Sequence, residues 1–374
     1  MVNMISYYPA IVVIPCLNEQ TTLLNTCLSL GFGTSLNKEK DDRYLILVDN
    51  GSTDDTVVVA EHVRSISPSG RVFIIAESER GYVPPRHSGN IFAKVLAESY
   101  GWADTKVVIL QADADTIYND HYVETMRTAS IEQGEGILLQ GYSEYRPDFL
   151  HDFPTYAEIC HFVDKNFEKI TTTNINDFIV DDKVCAYRLS DYFQWGGHQR
   201  EHNIQGEEIH AETTRLYLRA ASQNAHMYKV DNAIAYHSVR NLLKNPLLEI
   251  ASAGFPREQS WMKKWRDTFQ TLEGTSSYHL DSDRPETKTA IMLRFQNTIA
   301  LFLLLPFHVT NTVGRQPDGI LASIINKFGF YLPRRKLTEL SDNPGKFLED
   351  VFQICDQLDE QIILQIANTI EDYG

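Results

Sequence analysis

The sequence predicts an α/β fold: a mostly parallel sheet flanked by helices, followed by an α-helical C-terminal region. Three observations predict it. Apolar runs of strand length recur in the first half as AIVVIP, YLILVDNGS, RVFIIAES and KVVILQADAD. Stretches of helical length and spacing separate them. From about residue 241 strand-like runs give way to long stretches of helical periodicity. Strands alternating with helices of about 10–15 residues imply parallel pairing through right-handed crossovers. Apolar strands that do not alternate with polar residues fit a sheet covered on both faces.

Each element has its own signal. AIVVIP is bounded by Pro15, and NEQTTLLNTCLSLG carries leucines at helical spacing and closes on Gly31. YLILVD ends in Asp49 and a turn. TDDTVVVAEHVRSI reads as a helix with Thr53 or Asp54 as N-cap and acids in its first turn. RVFIIAES is a third strand, HSGNIFAKVLAESYG a third helix and KVVILQADAD a fourth strand. In the middle, GILLQGYSEYRPD and MYKVDNAIAYHSVR read as strands, and YAEICHFVDKNFEKI as a helix. CAYRLSDYFQWGG leads into GEEIHAETTRLYLRAA, which has helical spacing. The last third offers PLLEIASAGF, KTAIMLRFQNTIALFLLLPFHV, GILASIINKFGFYL and GKFLEDVFQICDQLDEQIILQIANTI, all of helical period. The expected division is residues 1–240 and residues 241–374.

Bulk properties narrow the function. The chain has 374 residues, 43% hydrophobic and 22% charged, so its core needs no disulfide support. A formal net charge of −16 disfavours nucleic acid, whose phosphates require clustered Lys and Arg, and anionic membrane surfaces as well. It leaves room for small phosphorylated molecules, because a divalent cation reverses the local potential. Cys16, Cys27, Cys160, Cys185 and Cys355 are scattered and form no C-x-x-C pair, which points to a reducing compartment. The first residues lack the pattern of a secretory signal. The run Ile299 to Phe307 is far shorter than the roughly 20 residues that span a bilayer, and reads as part of a core helix. The expectation is a cytoplasmic protein without a transmembrane span, at most weakly membrane-associated.

In open α/β sheets ligands bind at the carboxyl ends of the strands. Those ends carry Pro15 to Glu19, Asp49 with Asn50, Glu77, and Asp113-Ala114-Asp115. Side chains at i and i+2 of a strand point the same way, so Asp113 and Asp115 share a side. Two like charges there need a counter-charge, or one takes up a proton. A hard divalent cation together with phosphate oxygens supplies that charge, since Mg²⁺ commonly takes only one or two protein carboxylates. A solvated loop, or acids at a helix start, is the plainer explanation.

Five segments in order, VVIPCLNEQTTLLNTCLSL, ILVDNGSTDDTVVVAEHV, RGYVPPRHSGN, LQADADT and WGGHQREHNIQGEEIHAETTRLYLR, resemble the inverting family 2 glycosyltransferases. The resemblance covers roughly residues 10 to 240. It implies a GT-A type, Rossmann-like sheet, with residues 1–240 as the nucleotide-sugar-binding and catalytic domain. It further implies a metal-dependent hexosyltransferase that moves a sugar from a nucleotide-diphosphate sugar, UDP-linked, to an acceptor hydroxyl. Glu19 and Asp49, with Pro15 and Asn18 beside them, would bind the nucleoside. Arg86 would reach the base or a phosphate. Asp113 would hold nucleotide and metal, Asp115 the metal directly, and His237 would join the shell of Mn²⁺ or Mg²⁺. The family's base is the Asp of a Glu-Asp pair, and Glu208 of Gly206-Glu207-Glu208 stands in that place. Its extra methylene shifts the carboxylate, so Glu207 and Glu201 remain alternatives.

Structural explanations stand beside these roles. Asp49 can form the turn in DNGS, and Arg86 a surface salt bridge. Glu207 and Glu208 can simply favour a helix N-terminus. Arg240 could meet phosphate, and Trp195 could stack on a sugar or pack in the core. His198 and His202 have i, i+4 spacing, but no third zinc ligand accompanies them. The acceptor could be a glycan, a lipid-linked or a small molecule. The C-terminal helices could cover it or make a homo-oligomer. A nucleotide-sugar-binding protein without turnover is the rival supported by the glutamate at 208. A nucleotidyltransferase is disfavoured, since PCLNEQTTLL has no glycine or basic residue, and a dehydrogenase because no G-x-G-x-x-G follows the first strand.

Overall fold

The computed structural model describes residues 8–33, 42–171, 177–203, 205–252 and 281–373. Eight strands form one sheet in the order β3-β2-β1-β4-β7-β6-β8-β5. β1 (Ala10–Cys16), β2 (Arg43–Asp49), β3 (Val72–Ala76) and β4 (Val108–Gln111) make the parallel half, with Cys16 opposite Asp49 and Val13 opposite Gln111. Helices α1 (Leu23–Ser29), α2 (Thr56–Ile66) and α3 (Val83–Tyr100) connect these strands as the apolar runs predict. Ile11, Val12, Val13, Leu45, Ile46 and Leu110 are all fully buried, so the sheet is covered on both faces.

Beyond β4 the sheet turns mixed. β5 (Ile117–Tyr118) is short, and α4 (Tyr122–Gln133) leads to β6 (Ile137–Glu144). After α5 (Pro147–Asp152) and α6 (Pro154–Thr171) the chain re-enters as β7 (Cys185–Arg188), antiparallel to both β4 and β6. α7 (Leu189–Gln194) and α8 (Glu212–Ser222) follow, then β8 (His226–Tyr236), parallel to β6 and antiparallel to β5. The insertion of β7 brings the residues preceding it beside the end of β4.

Some boundaries differ from those expected, each for a local reason. α2 starts at Thr56 with Asp55, not Thr53 or Asp54, in the N-cap position and no acid in its first turn; Asp54 accepts the Thr56 amide from just outside the helix. α3 starts at Val83 and not near His87: Pro84 and Pro85 sit in its first turn, where a missing N–H leaves no helical bond unmade. GEEIHAETTRLYLRAA is helical only from Glu212. Glu207 and Glu208 precede that helix on a turn, where the Asn203 side chain accepts the amides of Gln205 and Glu207 and Gly206 adopts a positive φ of 82°.

The chain divides into two compact, interleaved units. The first takes the chain up to Glu144, Val180–Gln199 and Glu212–Ser238. The second takes Tyr145–Ile179, Arg200–Ala211 and the chain from Val239 on, where the expected division was a single cut near 240. In the second unit, the helix Pro285–Thr298 runs through a π-helical stretch, Ile299–Leu304, into Leu305–Thr312. Its 28 residues are long and apolar enough to cross a membrane, but most of the apolar window is buried within the protein, as in a core helix. The end of PLLEIASAGF lies outside the described residues.

Candidate functional site: an acidic sheet edge

The ends of β1 and β2 are tied to each other by side chains. Asn18 adopts a positive φ of 58° and its Oδ1 accepts the Thr53 amide at 2.8 Å, while its own amide donates to Ser52 Oγ at 3.0 Å. The Glu19 amide donates to Thr56 Oγ1 at 2.7 Å, and the Glu19 carboxylate accepts from Thr22 Oγ1 at 2.7 Å. Asp49 accepts the Gly51 and Ser52 amides, each at 3.2 Å, which is the turn-forming role considered for it. Pro15 pairs with Val48 within the parallel ladder. Asn50 continues the edge by donating to the Glu77 and Glu79 carbonyls. Arg80 reaches back to the Gly51 carbonyl at 2.7 Å.

The end of β4 is built around Arg86, on the first turns of α3. Its guanidinium is buried and no surface salt bridge forms. Nη2 donates to Asp113 Oδ1 at 2.7 Å and to Asp182 Oδ2 at 2.6 Å, and Nε donates to Glu212 Oε1 at 3.2 Å. Nη1 donates to Gln111 Oε1 at 3.3 Å. Gln111 is itself fixed by donating to Asn90 Oδ1 and Tyr187 Oη. Burial opposes the arginine's charge, but Asp182, Asp113 and Glu212 outweigh it and hold the guanidinium protonated. Arg86 is thus committed to carboxylates inside its own unit.

Sheet pairing explains why Asp182 is there. Leu110 of β4 lies opposite Ala186 of β7, so the one-turn 3-10 helix Asp182–Val184 falls beside Asp113. Tyr118 clamps the two, accepting the Asp113 amide at 3.1 Å and donating to the Lys183 carbonyl at 2.9 Å. Lys183 Nζ pairs with Asp181 Oδ1 at 2.7 Å. Burial works against the Asp181 charge, yet Lys183 outweighs it and holds that carboxyl below the ordinary range. Asp182 behaves oppositely. Burial, reinforced by Asp113 and Glu212 and only partly countered by Arg86, pushes it up to about 7. One guanidinium cannot keep three neighbouring carboxylates ionised equally.

His237 ends the edge just past β8. Its Nε2 lies 3.0 Å from Ser143 Oγ, and its amide donates to the Glu144 carbonyl at 2.8 Å. Burial and the Lys183 ammonium push it down to about 4, against the opposing pull of Asp181 and Asp115. It is a neutral imidazole at physiological pH. The first unit therefore gathers four carboxylates, Asp113, Asp181, Asp182 and Glu212, around Arg86 and Lys183, with Asp115 near His237. Among the described residues no group of three or more His, Cys, Asp or Glu side chains is arranged to hold a metal ion by itself.

The acids chosen as base candidates belong to the second unit. Glu207 accepts from Asn203 Nδ2 at 3.0 Å. Glu208 Oε2 accepts from Arg200 Nη2 at 2.9 Å and Nε at 3.1 Å. Glu201 accepts the Gly345 amide at 2.7 Å. Arg240 opens a short helix of that unit. His198 faces Tyr192 Oη and Thr213 Oγ1, each at 3.2 Å, and makes no zinc site with His202. Trp195 is buried and meets Tyr187 edge-on, so it packs in the core.

Asp182 and Glu212 were not singled out in the sequence. Glu212 did leave a signal: Glu212, Arg215 and Arg219 stand at i, i+3 and i+7, a spacing that puts three charges on one face of α8. That face is buried, with Arg215 and Arg219 donating to the Gln199 and Gly197 carbonyls. Asp182 left none, because its place depends on the antiparallel entry of β7.

Residues 11–193 match the model of glycosyl transferase family 2. No curated protein matches the chain. Among solved structures, S. aureus TarS 1–349 is 14% identical, with a TM-score of 0.42, over 87% of this chain and 93% of that one. The mannosyltransferase PcManGT from Pyrobaculum calidifontis, in complex with GDP-Man and Mn²⁺, is 13% identical, with a TM-score of 0.46, over 94% and 86%. TarS 1–349 in complex with UDP-GlcNAc is 12% identical, with a TM-score of 0.42, over 87% and 93%. The matched segment runs from β1 to α7 and contains the Arg86–Asp113–Asp182 cluster. Residues 11–193 thus form a glycosyl transferase family 2 segment, and the chain is a glycosyltransferase.

Proposed function

We propose that the acidic edge binds a nucleotide-diphosphate sugar, UDP-linked, together with Mn²⁺ or Mg²⁺, and that the enzyme transfers the hexose to an acceptor hydroxyl with inversion. The observation that carries this reading is the excess of carboxylates over cations at the carboxyl ends of β1, β2 and β4. Such an edge repels a diphosphate unless a divalent cation accompanies it. The residues that would hold that cation are Asp115, with Asp113 two residues before it, and His237, whose imidazole lies within reach of the Asp115 charge. Three protein ligands are not required, since phosphate oxygens and water complete the shell. When bound, the cation supplies Lewis-acid neutralisation of the leaving diphosphate.

The protein's own groups do the rest. Asp49 and Glu19 present carboxylate oxygens at the ends of β1 and β2, suited to accept from a base N–H and from ribose hydroxyls. Arg86 holds Asp113 through its 2.7 Å ion pair. The test is turnover of a panel of UDP-, GDP- and dTDP-sugars with Mn²⁺, Mg²⁺ or chelator, with the product's anomeric configuration read by NMR. Metal-dependent consumption of one donor class with inverted product is expected. Binding of a donor without turnover would identify a nucleotide-sugar-binding protein and contradict the proposal.

A further inference from the structure

Asp182 lies outside every segment that carried the family resemblance, yet it stands in the centre of the acidic edge. We propose that Asp182 is the carboxylate that takes the proton from the acceptor nucleophile. This rests on the glycosyl-transfer reading above. Three features of the cluster support it. The Asp182 side chain is 33% exposed, whereas Glu212, on the same guanidinium, is only 7% exposed and cannot meet a substrate. Arg86 occupies Asp182 Oδ2, and Oδ1 makes no hydrogen bond among the described residues. Lys183, its neighbour in the chain, makes its ion pair with Asp181 and not with Asp182.

Asp113 is equally exposed but sits two residues from Asp115, where on the proposed reading it would serve the cation and diphosphate. The division of labour follows: Asp113 and Asp115 serve the leaving group, and Asp182 serves the incoming one. In the step, the acceptor oxygen bonds to the anomeric carbon. The bond from that carbon to the diphosphate oxygen breaks, and its electron pair stays on the diphosphate. The acceptor proton passes to Asp182 Oδ1. No oxidant or reductant enters the balance.

The experiment uses the full chain and the donor identified by turnover. Asp182→Asn keeps an acceptor for Arg86 but cannot take a proton. Its kcat is expected to fall by about 10²–10⁴-fold, the usual contribution of a general base, with donor affinity by calorimetry retained. Added formate is expected to restore part of the turnover of Asp182→Ala. Asp182→Glu retains a proton acceptor and should turn over faster than Asp182→Asn, even if both are less stable than wild type. Turnover of Asp182→Asn equal to wild type, or equal losses in the Asn and Glu variants, overturns the assignment and leaves the glycosyltransferase reading intact. Wild-type protein that neither binds nor consumes any donor overturns both.

Discussion

Arg86 shows how one residue decides the character of the site. It is buried, and its forked donors reach Asp113, Asp182 and Glu212 from one position. Removing it leaves Glu212 buried and uncompensated and releases the two half-buried aspartates. Arg86→Met is expected to cost about 3–5 kcal/mol of stability in urea unfolding, the range for breaking a buried ion pair from one side. Arg86→Lys should recover only part of that, because a single ammonium cannot span the three carboxylates. A loss below about 0.5 kcal/mol in Arg86→Met, the range of ordinary surface substitutions, would mean the cluster is not held by this charge. The D-x-D pair was legible as paired acids past a strand, but strand alternation does not place it: β4 ends at Gln111, and Asp113 and Asp115 lie in the turn that follows. Arg86 stood out in the sequence as a candidate position, but its burial did not: nothing in RGYVPPRHSGN shows that three acids from distant segments converge on it.

The elements explain why the edge is rigid. α3 lies against β1 and β2 through Gly89, where a Cβ would come within 2.3 Å of Val13 Cγ1 and 3.1 Å of Val48 Cγ2. Both valines are fully buried in their strands and have no free space to move into. Gly89→Ala is therefore expected to destabilise by about 1–3 kcal/mol, the cost of overpacking, as a lowered urea midpoint with an unchanged slope. A midpoint equal to wild type would show that α3 can lift off the sheet without penalty. The parallel half of the sheet was readable from the alternation of apolar runs with helical spacing. The mixed half was not. CAYR is too short to show its pairing direction, and its antiparallel entry is what carries Asp182 to Asp113. The helix read through Glu207 and Glu208 failed for a related reason: helical spacing persists in GEEIHAETTRLYLRAA, but the Asn203 side chain and Gly206 make a turn before α8 begins.

For the whole molecule, charge and connectivity are the informative facts. A net charge of −16 opposes a bare diphosphate, so a phosphorylated donor needs a divalent cation beside it at the acidic edge. The change near residue 240 was visible as a change of composition, but two earlier segments, Tyr145–Ile179 and Arg200–Ala211, also belong to the second unit. Such interleaving leaves no compositional trace, because each segment buries its own apolar face as any domain would. On the proposed reading the edge of the first unit holds a nucleoside diphosphate through a divalent cation at Asp115. The most direct measurement is calorimetric titration of UDP, GDP and dTDP into the full-length protein, with and without Mn²⁺, repeated on Asp115→Ala. Binding of one diphosphate that requires Mn²⁺ and disappears in Asp115→Ala is the predicted result. No binding of any of the three by the folded wild-type protein, with or without the metal, would contradict it.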